Sequence, residues 1–435
     1  MIKGTKRPVV HVLTVSLFSL FVFSATTSQA QPRPRCFGQR ATIRAKASGI
    51  TRGTRGRDVI VGTPGRDVIK AKRGSDLVCG RGGNDVINGA RGVDALAGDS
   101  GDDTVKGGRG QGDALTGGLG NDVLNGGPGA FPGIAIYSES PNGVAVNLAT
   151  GSANGRGRDT LINISGIADS RFDDLLTGSA ADEQEAFLMR TGNDTIDGGG
   201  GEDDIVVYNE APFPVTIDLA AGTAVGQGIN TTMTGIQNAI GSQFDDTITG
   251  NDLANFIWGV DGDDTITTGS GDDFIEIPLG NDEVDGGAGV DIAGFLIAGG
   301  PVTADLAAGT ATVDGTPTET STLIGIESLI GSFEFGDTLS GSSGPNTIIG
   351  VGGSDEIDGL GGDDFLDGDL FGAGFEFSGT DDLDGGDGND TCVNGEVETN
   401  CEADPPPAVL QKTNELGSFM RGTRSLLSLT RALLN

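Results

Sequence analysis

The side chains able to do chemistry in this chain are carboxylates, 62 Asp and Glu against 27 Lys and Arg and one His, and many recur at a fixed step. Between Gly80 and Gly108 the sequence divides into nonapeptides beginning at Gly80, Gly89 and Gly98. Each has glycine at position 1, aspartate at position 6 (Asp85, Asp94, Asp103) and an aliphatic residue at position 8 (Ile87, Leu96, Val105). A short fixed period is the mark of a solenoid. The glycine-rich half reads as a tight turn, and the other half is too short for a helix and fits a three-residue strand. Two nonapeptides then make one coil, and residues 18 apart stack, Asp76 with Asp94 and Asp85 with Asp103. Stacked carboxylates repel unless a positive charge lies between them. Aspartate and turn carbonyl oxygens suit a hard divalent cation with six to eight oxygen ligands, so calcium fits best. Magnesium demands a tighter octahedron, and zinc wants His or Cys ligands.

The pattern resembles the hemolysin-type, or RTX, calcium-binding nonapeptide repeat, G-G-x-G-x-D-x-U-x. The resemblance runs from about Cys36 to Cys401. It implies an all-β fold, a parallel β-roll or β-solenoid of glycine-aspartate nonapeptides that binds multiple Ca2+ ions. Register and resemblance together give the ligand role to Asp76, Asp85, Asp94, Asp103, Asp113 and Asp122 in a first block and to Asp194 and Asp203 in a second. Asp264, Asp273, Asp282 and Asp291 follow in a third, and Asp355, Asp364, Asp381 and Asp390 in a fourth. Asp58 and Asp67 share the register, but Arg57 and Arg66 precede them; an arginine there is expected to pair with the stacked carboxylate and take part of the cation's place. Asn255 and Asn346 offer only a neutral oxygen at the outer edge of their blocks.

The elements holding these residues are of two kinds. Residues 31–129 are expected to form an N-terminal roll, shifted by one residue near Gln111 and Gly112. Residues 130–404 are expected to form a composite solenoid in which three longer β-rich modules (130–178, 205–250, 292–341) alternate with nonapeptide blocks. The modules open at Tyr137, Tyr208 and Phe295 and place a glycine fourteen residues on, at Gly151, Gly222 and Gly309. The strings GVAVNLATG, PVTIDLAAG and PVTADLAAG alternate apolar and polar, as half-buried strands do. Each module returns to the short repeat through FDDLLTG, FDDTITG or FGDTLSG.

At the ends, residues 1–30 have the basic start, apolar run and small-x-small finish of a secretory signal peptide, with cleavage expected before Gln31. In an exported chain, Cys36 with Cys79 and Cys392 with Cys401 are the natural disulfide pairs; other connectivities and free buried thiols stay open on sequence alone. Residues 405–435 read as a proline linker and a basic tail, with an amphipathic helix, a hydrophobic cap and disorder all compatible with it. Residues 31–112 carry sixteen Lys and Arg against eight Asp and Glu, a net of +8, and residues 113–404 carry four against fifty-three, a net of −49. Such a polyanion resists compaction until cations bind, and it is no partner for nucleic acid.

The one histidine, His11, lies inside the leader, so the mature chain is expected to build no histidine-dependent triad or zinc protease site. A carboxylate-pair glycosidase or calcium-assisted polysaccharide lyase has the acids it needs. Against it, the nine-residue column already explains the acids, and Trp258 is the only tryptophan for sugar stacking. The expectation is a secreted, extracellular protein without catalysis that folds on calcium as a structural or interaction rod. The alternative is a calcium-dependent adhesin at a cell surface or matrix polymer. Self-association between the basic end and the acidic body is a further option, and no transmembrane segment is expected after the leader is removed.

Overall fold

The computed structural model describes residues 34–110, 112–129, 133–180, 184–201, 203–277, 279–315, 318–369 and 379–402. The expected leader, the proline linker and tail, and the insertion from Phe371 to Phe377 lie outside the described residues. Among the described residues every element is a strand, and no helix is long and apolar enough to cross a membrane. The chain divides into two compact units, one ending at Ile134 and the other beginning at Ala135.

In the first unit, short strands alternate between two parallel sheets. Val59–Val61, Leu77–Cys79, Ala95–Ser100 and Asp113–Leu119 stack in one sheet. Ile50–Arg52, Val68–Arg73, Val86–Arg91, Thr104–Gly108 and Val123–Asn125 stack in the other. Position 8 points between the sheets: Ile60, Ile69, Val78, Ile87, Leu96, Val105, Leu115 and Leu124 are all fully buried. Each such side chain contributes about 1.5–3 kcal/mol of burial, and a coil touches only its neighbours, so this thin column is the centre of the core. The offset between stacked residues is 18 until the extra residue of the last turn makes it 19. At the N-terminal edge, Arg35–Cys36 and Gln39–Arg40 form an antiparallel pair. Cys36 and Ala41 pack on Val59 and Val61, with Phe37 and Leu77 beside them. The Cys36–Cys79 disulfide, with Cα atoms 5.6 Å apart, fastens this cover to the roll.

The second unit uses the same coils and interrupts them with three antiparallel meanders. In one, Val215–Asp218, Thr223–Gly226 and Ile229–Thr234 pair in turn, and the outer strands continue the parallel sheet to Thr247–Thr249 and Thr195–Asp197. Val302–Asp305, Thr310–Val313 and Glu319–Ile324 repeat the arrangement, as do Ala145–Asn147, Ser152–Asn154 and Arg158–Ile162. Antiparallel strands accept a tight connection that parallel ones cannot. The recurring glycines supply it: Gly151, Gly222 and Gly309 have φ of 62, 67 and 68°. The aromatic that opens each module, Tyr137, Tyr208 or Phe295, is buried. The second disulfide, Cys392–Cys401, has Cα atoms 5.8 Å apart.

Candidate metal centres

The aspartates at position 6 form two ladders in the first unit. The amide of Asp58 donates to Asp76 Oδ1, that of Asp76 to Asp94 and that of Asp94 to Asp113. On the other edge Asp67, Asp85, Asp103 and Asp122 are joined in the same way, with N···O distances of 2.6–2.8 Å throughout. One oxygen of each carboxylate is thus used within the backbone. The other, Oδ2 of Asp76, Asp85, Asp94, Asp103 and Asp113, is buried and has no hydrogen-bond partner. The same is true of Asp204, Asp273, Asp291, Asp355, Asp364 and Asp390 in the second unit. A buried, unsatisfied anionic oxygen is costly, and so many in one repeating place require a positive partner.

Among the described residues, two recurring states of the turn before the aspartate are distinguished by position 2. In the first state the amide of position 2 points at the carboxylate. Thr54 donates to Asp58 Oδ2 and Thr63 to Asp67 Oδ2, both at 2.6 Å, and the Thr63 hydroxyl adds a bond to Asp67. Ser170, Ser242 and Ser332 serve Asp174, Asp246 and Asp337 likewise. In the second state position 2 is left-handed, which turns that amide away. Lys72, Arg81, Ala90, Asp99, Val260, Val351 and Leu360 all have φ between 67 and 91°, each four residues before a column aspartate. A β-branched residue such as Val260 or Val351 is a true outlier there, and strain of this kind persists only where something offsets it.

Oxygens of neighbouring coils converge at position 1 in both states, and in the left-handed turns the amide of position 2 points away from the carboxylate. An ideal Cβ placed on Gly80 would lie 2.3 Å from Asp85 Oδ2 and 2.7 Å from the Gly98 carbonyl oxygen of the next coil. On Gly350 it would meet Asp355 Oδ2 at 2.2 Å and the Gly368 carbonyl at 2.7 Å. At Gly80 and Gly350 a side chain would therefore collide, because carboxylate and carbonyl oxygens of two coils face the same small space. This all-oxygen donor set with net negative charge fits calcium. Burial pushes Asp85, Asp94, Asp282 and Asp291 up to about 7 and Asp264 and Asp355 up to about 8. Each is opposed by the amide it accepts and raised further by nearby carboxylates.

Fifteen of the sixteen expected aspartates are buried in the ladders. The exception is Asp203, which is exposed; Asp204 is buried instead and accepts the Glu185 amide at 3.0 Å. The run Gly198 to Gly201 makes that turn one residue longer, so counting by nine stops one residue short. The expected role of Arg57 and Arg66 is also corrected. Both are exposed, and the donors to Asp58 and Asp67 are Thr54 and Thr63. Asn255 and Asn346 are satisfied at both ends, their Nδ2 donating to the Gln237 and Glu327 carbonyls at 2.7 Å.

Several ladder members escaped the sequence reading. Asp246 and Asp337 carry the ladder into Asp264 and Asp355, and their spacing of 18 could have revealed them. Where a module or the last turns replace the repeat, the acceptor is Gln237, Ser321, Glu327, Glu396 or Glu402. The offset of 26 from Asp355 to Asp381 and from Asp364 to Asp390 shows that the insertion lengthens one coil and leaves the ladder intact.

The comparisons agree with this geometry. A family model of the RTX calcium-binding nonapeptide repeat, four copies long, matches residues 52–87, 80–113, 108–130, 190–207, 240–275, 279–293, 333–370 and 377–392. No curated protein matches the chain. The matched segments coincide with the ladders and leave out most of the meanders, and the all-β parallel architecture is that of a β-roll. The chain therefore carries the RTX calcium-binding nonapeptide repeat in several copies along its length.

Proposed function

We propose that this chain is an extracellular calcium-binding protein that orders when the ion arrives and then acts as a structural or interaction element, without catalysis. The observation that carries the reading is the coincidence of two independent features. Six of the seven side-chain-bearing residues in left-handed turns at position 2 precede an aspartate whose Oδ2 is buried and unpartnered. Both defects are removed by one cation per turn. The ligands proposed are the expected aspartates with Asp204 in place of Asp203, and the Thr-capped turns of Asp58 and Asp67 and the Ser-capped turns of Asp246 and Asp337 hold none.

Export fits the same chemistry, since calcium is plentiful outside cells and disulfides persist there. The net charge of −49 over residues 113–404 supports folding coupled to binding. Circular dichroism of the mature chain through a calcium titration, with magnesium as control, tests the proposal. Strand signal that appears with calcium and not with magnesium supports it; full strand signal in chelator at neutral pH contradicts it.

A further inference from the structure

One acidic cluster joins two ladder members to a carboxylate from outside the ladders. Asp169, Asp174 and Asp194 are all buried, and each offers a carboxylate oxygen within 4.8 Å of the others. Asp174 and Asp194 belong to one ladder, the Asp174 amide donating to Asp194 Oδ1 at 2.9 Å. Asp169 does not. It stands at position 1 of the return motif, where the other two modules have Gly241 and Gly331. At those glycines an added Cβ would lie 2.4 and 2.5 Å from Asp246 Oδ2 and Asp337 Oδ2. The coil of the first module is also longer: Gly166 pairs with Ala186, 20 residues on, where Ala239 pairs with Ile257, 18 on.

Asp169 is fully buried. Its Oδ2 accepts the Arg190 amide at 2.9 Å, and its Oδ1 has no partner. The nearest guanidinium, that of Arg190, is ion-paired with Glu210. Hydroxyls complete the surroundings. Ser170 donates to Asp174 Oδ1 at 2.8 Å, Thr231 bonds Asp194, and Tyr208 donates to Thr231 Oγ1 at 2.9 Å. Three carboxylates with one orphaned oxygen, walled by hydroxyls and lacking nitrogen or sulfur donors, select a hard cation.

We infer that Asp169, Asp174 and Asp194 form a separate calcium site in which a carboxylate has replaced the repeat's glycine. It has three carboxylates where a ladder turn has one, and affinity rises with ligand charge, so it is the tightest site of the second unit. The inference shares the ion and Asp194 with the proposed function; Asp169 and Asp174 are new to it.

Asp169→Gly restores the residue of the sister modules and leaves the backbone path feasible; Asp169→Asn keeps the size and removes the charge. The full mature chain and both variants are desalted at low free calcium, and bound calcium is counted by elemental analysis. Terbium emission excited through tyrosine is read in parallel, since Tyr208 adjoins the cluster. Both variants should retain one ion fewer than the parent, with the strand signal intact and the terbium emission reduced. An unchanged ion count and unchanged emission in Asp169→Gly overturns the inference, because Asp169 would then be a buried protonated acid. Because the readout is a difference between variants, it can fail while the ladders fill, and it can hold if they stay empty.

Discussion

Acid should do in chelator part of what calcium does at neutral pH. The ladder carboxylates ordinarily titrate near 3.8, and in the fold burial raises Asp94 to about 7 and Asp264 and Asp355 to about 8. Between these limits the folded chain holds protons that the unfolded chain has released, so stability falls as pH rises through 7 to 8 and is fully present below 3.8. Each pH unit below the raised value adds about 1.4 kcal/mol per group. From pH 8 to pH 5, Asp94 alone gains about 3 kcal/mol and Asp264 and Asp355 about 4 each. Neighbours in a ladder are coupled, so half the sum, on the order of 5 kcal/mol, is the working figure. That is comparable to the whole stability of a domain. The assay is far-ultraviolet circular dichroism of the mature chain in chelator, stepped from pH 8 to pH 5. Strand signal should grow on acidification, and calcium at pH 8 should reach the same spectrum. A signal that is flat or declines toward pH 5 refutes the claim that buried like charges keep the metal-free chain open.

Three substitutions follow from the same geometry. Asp94→Asn keeps the acceptor for the Asp76 amide and supplies the neutral group that Asn255 and Asn346 use at capped turns; titration calorimetry should find about one calcium fewer. Ser242→Ala removes a hydroxyl 2.9 Å from Asp246 Oδ1. It should cost about 1–3 kcal/mol in calcium, read from urea midpoints, with no change in ion count. Leu115→Ala, in the fully buried column, should cost about 2–5 kcal/mol in urea unfolding with calcium present.

Much of the roll was legible because its period is rigid. Asp85 over Asp103 and Ile87 over Val105 follow from counting by 18, and the structure has both pairings. The three modules were legible as strands but not as meanders, since alternation in PVTIDLAAG fixes which side is buried and says nothing about the direction of the partner. Both disulfides match the natural pairing, which rested on the nearness of Cys392 to Cys401 and on the segment before the roll being tied to its third coil. Counting failed where a turn changed length, at Asp203 and Asp204, and where a longer side chain did an aspartate's work, as at Glu327 and Glu396. Arg57 and Arg66 misled because charge was weighed before geometry; the amide of Thr54 is four residues from Asp58 and already points at it. Asp169 was invisible to the repeat because it lies outside the aspartate column, and only the fold brings it to Asp174 and Asp194.

The central claim, that cations occupy the left-handed turns and not the capped ones, is tested most directly by anomalous scattering from crystals of the mature chain grown in calcium. Peaks should lie beside Oδ2 of Asp76, Asp85, Asp94, Asp103 and Asp113, with none beside Asp58, Asp67, Asn255 or Asn346. Peaks at those four capped turns, or ordered ladders with no peak at the left-handed ones, would contradict the account.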